Sequence, residues 1–399
     1  MKIVLAPDSF KGSMSATEVA RYMSQGISDI FPEADIHTLP VGDGGEGTME
    51  ALVNATNGTF TTLNVTGPLG DTVSAQYGVL HDKETCVIEM AEASGLKHVP
   101  DNALNVMQAT TYGTGELILD ALDSGYTQFI LAIGGSATND AGAGMLQALG
   151  AKLLDQHHHE VDLGGGNLQK IQHIDLSHFD ARINQCNFTI ATDVQNPLIG
   201  TNGASYVFGK QKGATKSDLK QLEHNLTHWA DLVAHKKSIR LHDLPGAGAA
   251  GGLGGAFKAF FPSHFEDGIQ VVIDYIKLDQ YLENADLVIT GEGKIDFQTL
   301  YGKTPMGIAK YANRYNVPVV FIGGSIDVDI DQFKDMGVIG AFSLTDGPMS
   351  LEETINQSEK LVKKTTQNIV NLFFMSQQFY LNFLNNVKLN LLVMCYIII

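Results

Sequence analysis

The chain has 399 residues, of which 44% are hydrophobic and 18% charged. These values exclude a disordered chain, and at about 150 residues per domain the length suits two or three domains. With 26 basic against 44 acidic side chains the net charge is −18, which excludes a general attraction to nucleic acid or anionic lipid and leaves any anionic substrate to locally placed cations.

Cys86, Cys186 and Cys395 are odd in number and far apart. They argue against a disulfide framework or a Cys-rich zinc site and fit a reducing cytosol, so a cytoplasmic location is expected. In chain order, MKIVLAPDSF reads as a strand over Ile3 to Ala6, too short for a signal-peptide core. Val19, Met23, Ile27 and Ile30 repeat at helical spacing across Ser15 to Ile30, and a second strand follows over Ile36 to Val41. Thr61 to Val65, Ser74 to Leu80 and Thr85 to Met90 read as antiparallel strands joined by GPLGD and HDKE turns. Buried-strand runs recur at Phe129 to Ile133, Phe188 to Ala191, Leu287 to Thr290 and Val317 to Ile322, with hairpin-like and helical pieces between 151 and 284. Helical patterns over Thr304 to Tyr315 and Leu351 to Leu372 complete the alternation.

Strand, loop and helix in succession predict an α/β fold: a Rossmann-like doubly wound parallel-sheet domain built from both chain ends, with a second inserted α/β domain. The expected boundaries are 1–60 plus 285–372 for the first and 61–284 for the second, with 103–150 assignable to either. Residues 374–399 read as a non-native tail: they hold one charge, Lys388, and a nine-residue apolar run from Leu391 that is too short to span a bilayer.

In such sheets ligands sit beyond the carboxyl ends of strands, so chemistry is sought in the loops there. The first strand runs into Asp8, Ser9, Phe10, Lys11, Gly12 and Ser13, a carboxylate and a cation just before a helix start, where an anion is favoured. The same residues also fit a plain cap with Lys11 in solvent. Gly42 to Thr48 sets Asp43 and Glu46, hard oxygen donors of the kind Mg²⁺ takes, among four glycines. Gly134, Gly135, Ser136, Ala137, Thr138, Asn139 and Asp140 bring small and hydrogen-bonding residues straight off a strand, a backbone that can cradle phosphate. Asp193 follows Phe188 to Ala191, and Glu292, Lys294 and Asp296 follow Leu287 to Thr290.

Two motifs are weaker. The run from Gly246 to Gly255 matches G-x-G-x-x-G without a preceding strand. Gly302, Lys303 and Thr304 imitate the end of a P-loop, but position 297 is Phe where a Walker A loop needs glycine. His157, His158 and His159 are adjacent, so their side chains diverge, and they carry no metal expectation.

Taken together, APDSFKGSMSA (6–16), PVGDGGEGT (40–48), IEMAEASGL (88–96), TTYGTGELI (110–118), GGSATNDAGAGM (134–145), ATDVQNPLIG (191–200), GKQKGA (209–214), PGAGAAGGLGGA (245–256) and TGEGKID (290–296) resemble the glycerate kinase family of the bacterial type that lacks a P-loop. The resemblance implies transfer of the ATP γ-phosphoryl group, with Mg²⁺, to a hydroxyl of D-glycerate by a two-domain α/β enzyme. It leaves open which hydroxyl, and a homo-oligomer is compatible with it. This chain departs at Val41-Gly42, at Lys210 and at Lys294, the last standing where arginine is commoner. From residue chemistry and loop position, Asp193 or Asp296 is the expected base, with Asp8 beside the reacting groups. Asp43 and Glu46 are expected around Mg²⁺, Lys11 and Lys303 on phosphate or substrate carboxylate, and Gly134, Gly135, Ser136 and Asn139 along the phosphate. The competing expectations are a nucleotide-dependent dehydrogenase, drawn from the glycine run, and an inactive ligand-binding relative.

Overall fold

The computed structural model describes residues 1–375 apart from 298 and 300–302. The expectations for the tail and for Gly302 therefore lie outside the described residues, Phe374 and Met375 excepted. The chain forms β1 (Lys2–Leu5), β2 (Asp35–Thr38), β3 (Thr59–Thr66), β4 (Thr72–Val79), β5 (Thr85–Glu89), β6 (Gln128–Ala132) and β7 (Lys152–Leu154). It continues through β8 (His173–Asp175), β9 (Asn187–Ala191), β10 (Ser263–Glu266), β11 (Leu287–Ile295), β12 (Val319–Ile326) and β13 (Val338–Ser343). Two compact units result, Val41–Leu278 and, from both chain ends, Met1–Pro40 with the residues from Asp279 onward.

In the unit built from the chain ends, five strands lie in the order β13-β12-β11-β1-β2, every neighbouring pair parallel. Counted within the unit this is the order 2-1-3-4-5 read from the other edge. The winding reverses between β1 and β11, where a doubly wound sheet opens a crevice at its carboxyl end. The helix Ala16–Ser28 begins at a capping box, with the Ser15 side chain on the Glu18 amide and the Glu18 carboxylate on the Ser15 amide. Its Val19, Met23 and Ile27 join Ile3, Leu5, Ile289, Ile322, Leu361, Val362, Ile369 and Val370 in one core. A Cβ on Gly26 would lie 2.7 Å from the Lys363 carbonyl oxygen, so glycine there lets two backbones touch.

The expected last helix is two: Leu351–Asn356, then a turn at Gln357 and a helix from 358 to at least 375. Leu351 and Leu372, the ends of that expected helix, are 77% and 64% exposed, because the break at Gln357 changes the helical phase and residues 361, 362, 369 and 370 take the buried stripe. Phe374 packs instead, its ring centroid 5.9 Å from that of Phe31.

The other unit holds a six-stranded sheet, β10-β9-β6-β5-β4-β3, parallel from β10 to β5 and antiparallel through the β5-β4-β3 meander. Its four parallel strands run in simple sequence order, so right-handed crossovers stack their helices on one face. Cys86, Ile88, Phe129, Leu131, Phe188 and Ile190 meet Leu117, Met145, Trp229 and Phe257 on that face. The alternate residues Val87 and Ile130 are buried too. The opposite face is covered by the first and last helices of the unit, Thr48–Ala55 on β4 and β5 and Gly268–Ile276 on β9, which pack against each other.

This packing moves the boundaries. The sequence sets them at 60/61 and 284/285, whereas the units divide at 40/41 and 278/279, because Thr48–Ala55 covers the inserted sheet. Residues 103–150 lie in the inserted unit through β6. Strands β10 and β13 escaped sequence reading for one reason: each is a sheet edge, with alternate or most residues out of the core.

Candidate active site

In the unit of the chain ends, the reversal between β1 and β11 gathers the expected residues. The Asp8 amide donates to the Gly291 carbonyl at 2.8 Å, which carries the β1–β11 pairing three residues past the end of β1. The buried Asp8 carboxylate accepts from Thr304 Oγ1 at 2.7 Å and from the Ser9 amide at 2.6 Å. Thr304 opens the helix Thr304–Asn313, with Pro305 fixing its first turn, so the carboxylate lies against a helix start where its charge is favoured. Glu292 accepts from Thr299 Oγ1 at 2.8 Å and pairs with Lys303 Nζ at 3.2 Å. Lys294 pairs with Asp296 at 3.3 Å, and Asp296 is 8% exposed. Lys11 stands exposed in the turn after β1, and Gly293 of β11 passes close to its backbone.

In the inserted unit the carboxylates meet one another. Asp43 is half-buried, and its Oδ1 accepts from the Gly45 amide at 3.1 Å. The loop around it is threaded through backbone contacts: a Cβ on Gly44 would lie 2.9 Å from the Ala191 oxygen, and one on Gly268 2.2 Å from the Asp43 oxygen. The glycines are thus required by packing, and that packing sets Asp43 beside the end of β9. Asp193, just beyond β9, accepts from the Gly268 amide at 2.9 Å at the start of the helix Gly268–Ile276. Desolvation of its carboxyl group, reinforced by the negative charges of Asp43 and Asp267, outweighs that hydrogen bond and pushes its pKa up to about 6. The residue stays open to solvent, as a group that exchanges a proton must. Glu46 is exposed on the same loop. Glu89 ends β5 with its side chain buried, accepting from the Met49 amide at 2.7 Å. Burial first, then the charge of Glu92, raises it to about 8. Glu92 itself pairs with Lys97.

The loop after β6 belongs to the inserted unit as well. Gly134 donates to the Gly44 carbonyl at 3.3 Å, Gly135 is exposed at φ +74°, and Ser136 is 6% exposed. Asn139 and Asp140 are fully buried. The Asn139 Oδ1 accepts from Ser205 at 3.4 Å, whereas Asp140 accepts from the Thr111 amide and hydroxyl at 2.8 and 2.9 Å and from the amides of Gly142 and Gly144. Beneath them lies Lys212, 2% exposed, its Nζ donating to Ser136 Oγ and the Thr138 carbonyl, each at 2.7 Å.

The structure therefore groups Asp8, Asp296 and Lys303, with Lys11 on the neighbouring turn, in one unit, and Asp43, Asp193, Gly134, Gly135, Ser136 and Asn139 in the other. Sequence reading quoted Glu292, Thr304, Glu89 and Lys212 inside motifs but gave none of them a role, because no local pattern says that a charge is buried. The glycine run at 246–255 serves packing: a Cβ on Gly251 would lie 2.0 Å from the Thr138 oxygen, so the run supports the 134–140 loop from behind. Among the described residues no group of three or more His, Cys, Asp or Glu could by itself hold a metal ion.

Carboxylates, cations and glycine turns at the carboxyl ends of parallel strands, with no Walker A glycine, are the equipment of an α/β enzyme that handles phosphate without a P-loop. The glycerate kinase family pattern matches residues 3–374, and the chain belongs to that family. It is 46% identical over 369 residues to the glycerate kinase of Bacillus cereus and to the glycerate 2-kinase of Escherichia coli K12, in both cases over 92% of this chain and 97% of the relative. A solved structure, assigned as glycerate kinase 2 of Salmonella typhimurium LT2, superposes with a TM-score of 0.84 at 46% identity, over 95% of this chain and 99% of that one. The chain is accordingly a kinase, a phosphotransferase, and the dehydrogenase reading of the glycine run falls away.

Proposed function

We propose that the chain transfers the γ-phosphoryl group of ATP to the 2-hydroxyl of D-glycerate, in the cytoplasm, with Asp193 as the base. The substrate rests on family membership, the choice of hydroxyl on the name of the E. coli relative, and the location on free, sparse cysteines. The observation that carries the assignment of the base is the place of Asp193 just beyond β9 on the Gly268 amide, where desolvation first and then the charge of Asp43 raise it toward neutrality. A base of this kind takes the proton of the attacking hydroxyl as the oxygen bonds to the γ-phosphorus and the bond to the β-phosphate oxygen breaks, releasing ADP.

The donor set suits Mg²⁺ carried on the nucleotide, since that ion keeps waters and phosphates and needs only one or two carboxylates from the protein. Asp43 and Glu46 are the pair that would hold it, and it would neutralise charge on the phosphates. Lys11 and Lys303 are read as the cations for phosphate or substrate carboxylate, Lys303 being presented by Glu292. Asp8 is read as holding the Thr304 helix start in place. Gly134, Gly135 and Ser136 are read as the phosphate-facing turn, with Asn139 supporting it from within.

Incubation with ATP, Mg²⁺ and D-glycerate, followed by phosphorus NMR of the product, tests the reading. A 2-phosphoglycerate resonance is expected; 3-phosphoglycerate would overturn the hydroxyl assignment, and no glycerate-dependent product would overturn the activity.

A further inference from the structure

A lysine that is 2% exposed normally has a carboxylate against it, because an ammonium is costly to bury without one. Among the described residues Lys212 has none in hydrogen-bond contact: Asp140 acts on it through its field and spends its oxygens on Thr111 and on the Gly142 and Gly144 amides. Both hydrogen bonds of the lysine go to the loop after β6, one to a carbonyl and one to a hydroxyl. The hydroxyl bond has a directional consequence. Burial lowers the Lys212 pKa to about 7, against the charge of Asp140, which favours the ammonium; in that form the nitrogen donates and cannot accept, so a serine oxygen that receives its N–H must point its own O–H elsewhere. Ser136 sits next to the exposed, left-handed Gly135 and keeps a small exposed surface.

We propose that Lys212 is a positioning residue that fixes the Ser136 hydroxyl as a donor to a phosphoryl oxygen bound on the Gly134–Ser136 turn, an inference that rests on the reading of this turn as phosphate-facing. Two neighbours support it. Thr138 Oγ1 and Asn139 Nδ2 are buried with no hydrogen-bond partner among the described residues, so the loop holds more polar groups than its own fold satisfies. Lys212 also ties the Thr138 carbonyl, which makes the turn rigid from Ser136 to Thr138 and aligns the hydroxyl before any ligand arrives.

The test is a double-mutant cycle read by binding, with ADP and 2-phosphoglycerate as phosphate probes and D-glycerate as the phosphate-free control. Lys212→Met and Ser136→Ala are each expected to weaken at least one phosphate probe about tenfold, the scale of one hydrogen bond to a charged group. D-Glycerate affinity should stay within about twofold on that same scale, and the double variant should bind no more weakly than the weaker single one. ADP and 2-phosphoglycerate report separately which phosphate is bound. Should Lys212→Met not fold, Lys212→Gln, which keeps a donor on a shorter stem, takes its place with a partial loss expected. A Ser136→Ala chain that binds both probes normally would overturn the phosphate-facing reading of the turn. Weakening by Ser136→Ala alone, or losses that multiply in the double variant, would leave the turn in place and overturn the role of Lys212.

Discussion

The two units arrange their strand-end carboxylates in opposite ways. In the unit of the chain ends, Asp8 has Thr304, Glu292 has Thr299 and Lys303, and Asp296 has Lys294. In the inserted unit, Asp193 feels the charges of Asp43 and Asp267, and buried Glu89 those of Glu92, Lys97 and Glu46. A carboxylate with a cation stays ionised, whereas one among like charges holds its proton to higher pH. The second arrangement is suited to moving a proton, and this is the ground for proposing Asp193 rather than Asp296 as the base.

The largest expected effect tests that selection. Asp193→Asn should lower kcat by at least about 10²-fold, the range for loss of a general base, and Asp296→Asn by no more than about tenfold. Steady-state rates at saturating ATP and D-glycerate measure both, and equal losses would break the contrast between the units.

The pH profile sharpens it. The Asp193 pKa is raised to about 6, and a base works only when deprotonated. Because kcat/KM for MgATP reports the enzyme before the metal reaches Asp43, it should climb about tenfold per pH unit below pH 6 and level above it. The limb should vanish in Asp193→Asn, and a flat profile through pH 5 in the wild type would contradict the assignment.

Glu89 tests the same contrast through stability. Its folded pKa is raised to about 8, whereas the unfolded chain releases that proton near the ordinary value of about 4.3. Between these values the folded state binds more protons, so this contribution to stability falls as pH rises from about 4.5 to about 8. Glu89→Gln keeps an acceptor for the Met49 amide without an ionisable group. It should gain about 1–3 kcal/mol over the wild type at pH 8.5 and little at pH 5, read from denaturant midpoints. The same difference at both pH values would show that Glu89 does not titrate in this range.

The smallest effect concerns the tail. Phe374 packs on Phe31, so a truncation that spares the core ends at Met375 rather than Phe373. Removing residues 376–399 should leave glycerate-dependent ADP formation unchanged and raise soluble yield, because Leu391 to Ile399 is apolar and uncharged and lacks proline and glycine. A loss of turnover would show that the enzyme needs the segment.

The alternation of buried strands and amphipathic helices was legible because it is written at short range. Ile3 to Leu5, Phe129 to Ala132 and Leu287 to Ile289 are apolar runs that only a covered sheet accommodates, and Ser15 with Glu18 closes a cap within four residues. The loop motifs were legible for the same reason, as strings of glycine and polar residues directly after strands. Tertiary structure alone decided what those residues meet. Whether a carboxylate is a base or half of an ion pair depends on neighbours brought in from elsewhere in the chain: Asp43 and Gly268 for Asp193, Thr304 for Asp8. Nothing local to GKQKGA distinguishes the buried Lys212 from the exposed Lys210 two residues earlier. Burial and electric field are properties of the packed whole, and so the sequence identified the loops while the fold assigned each charge its partner.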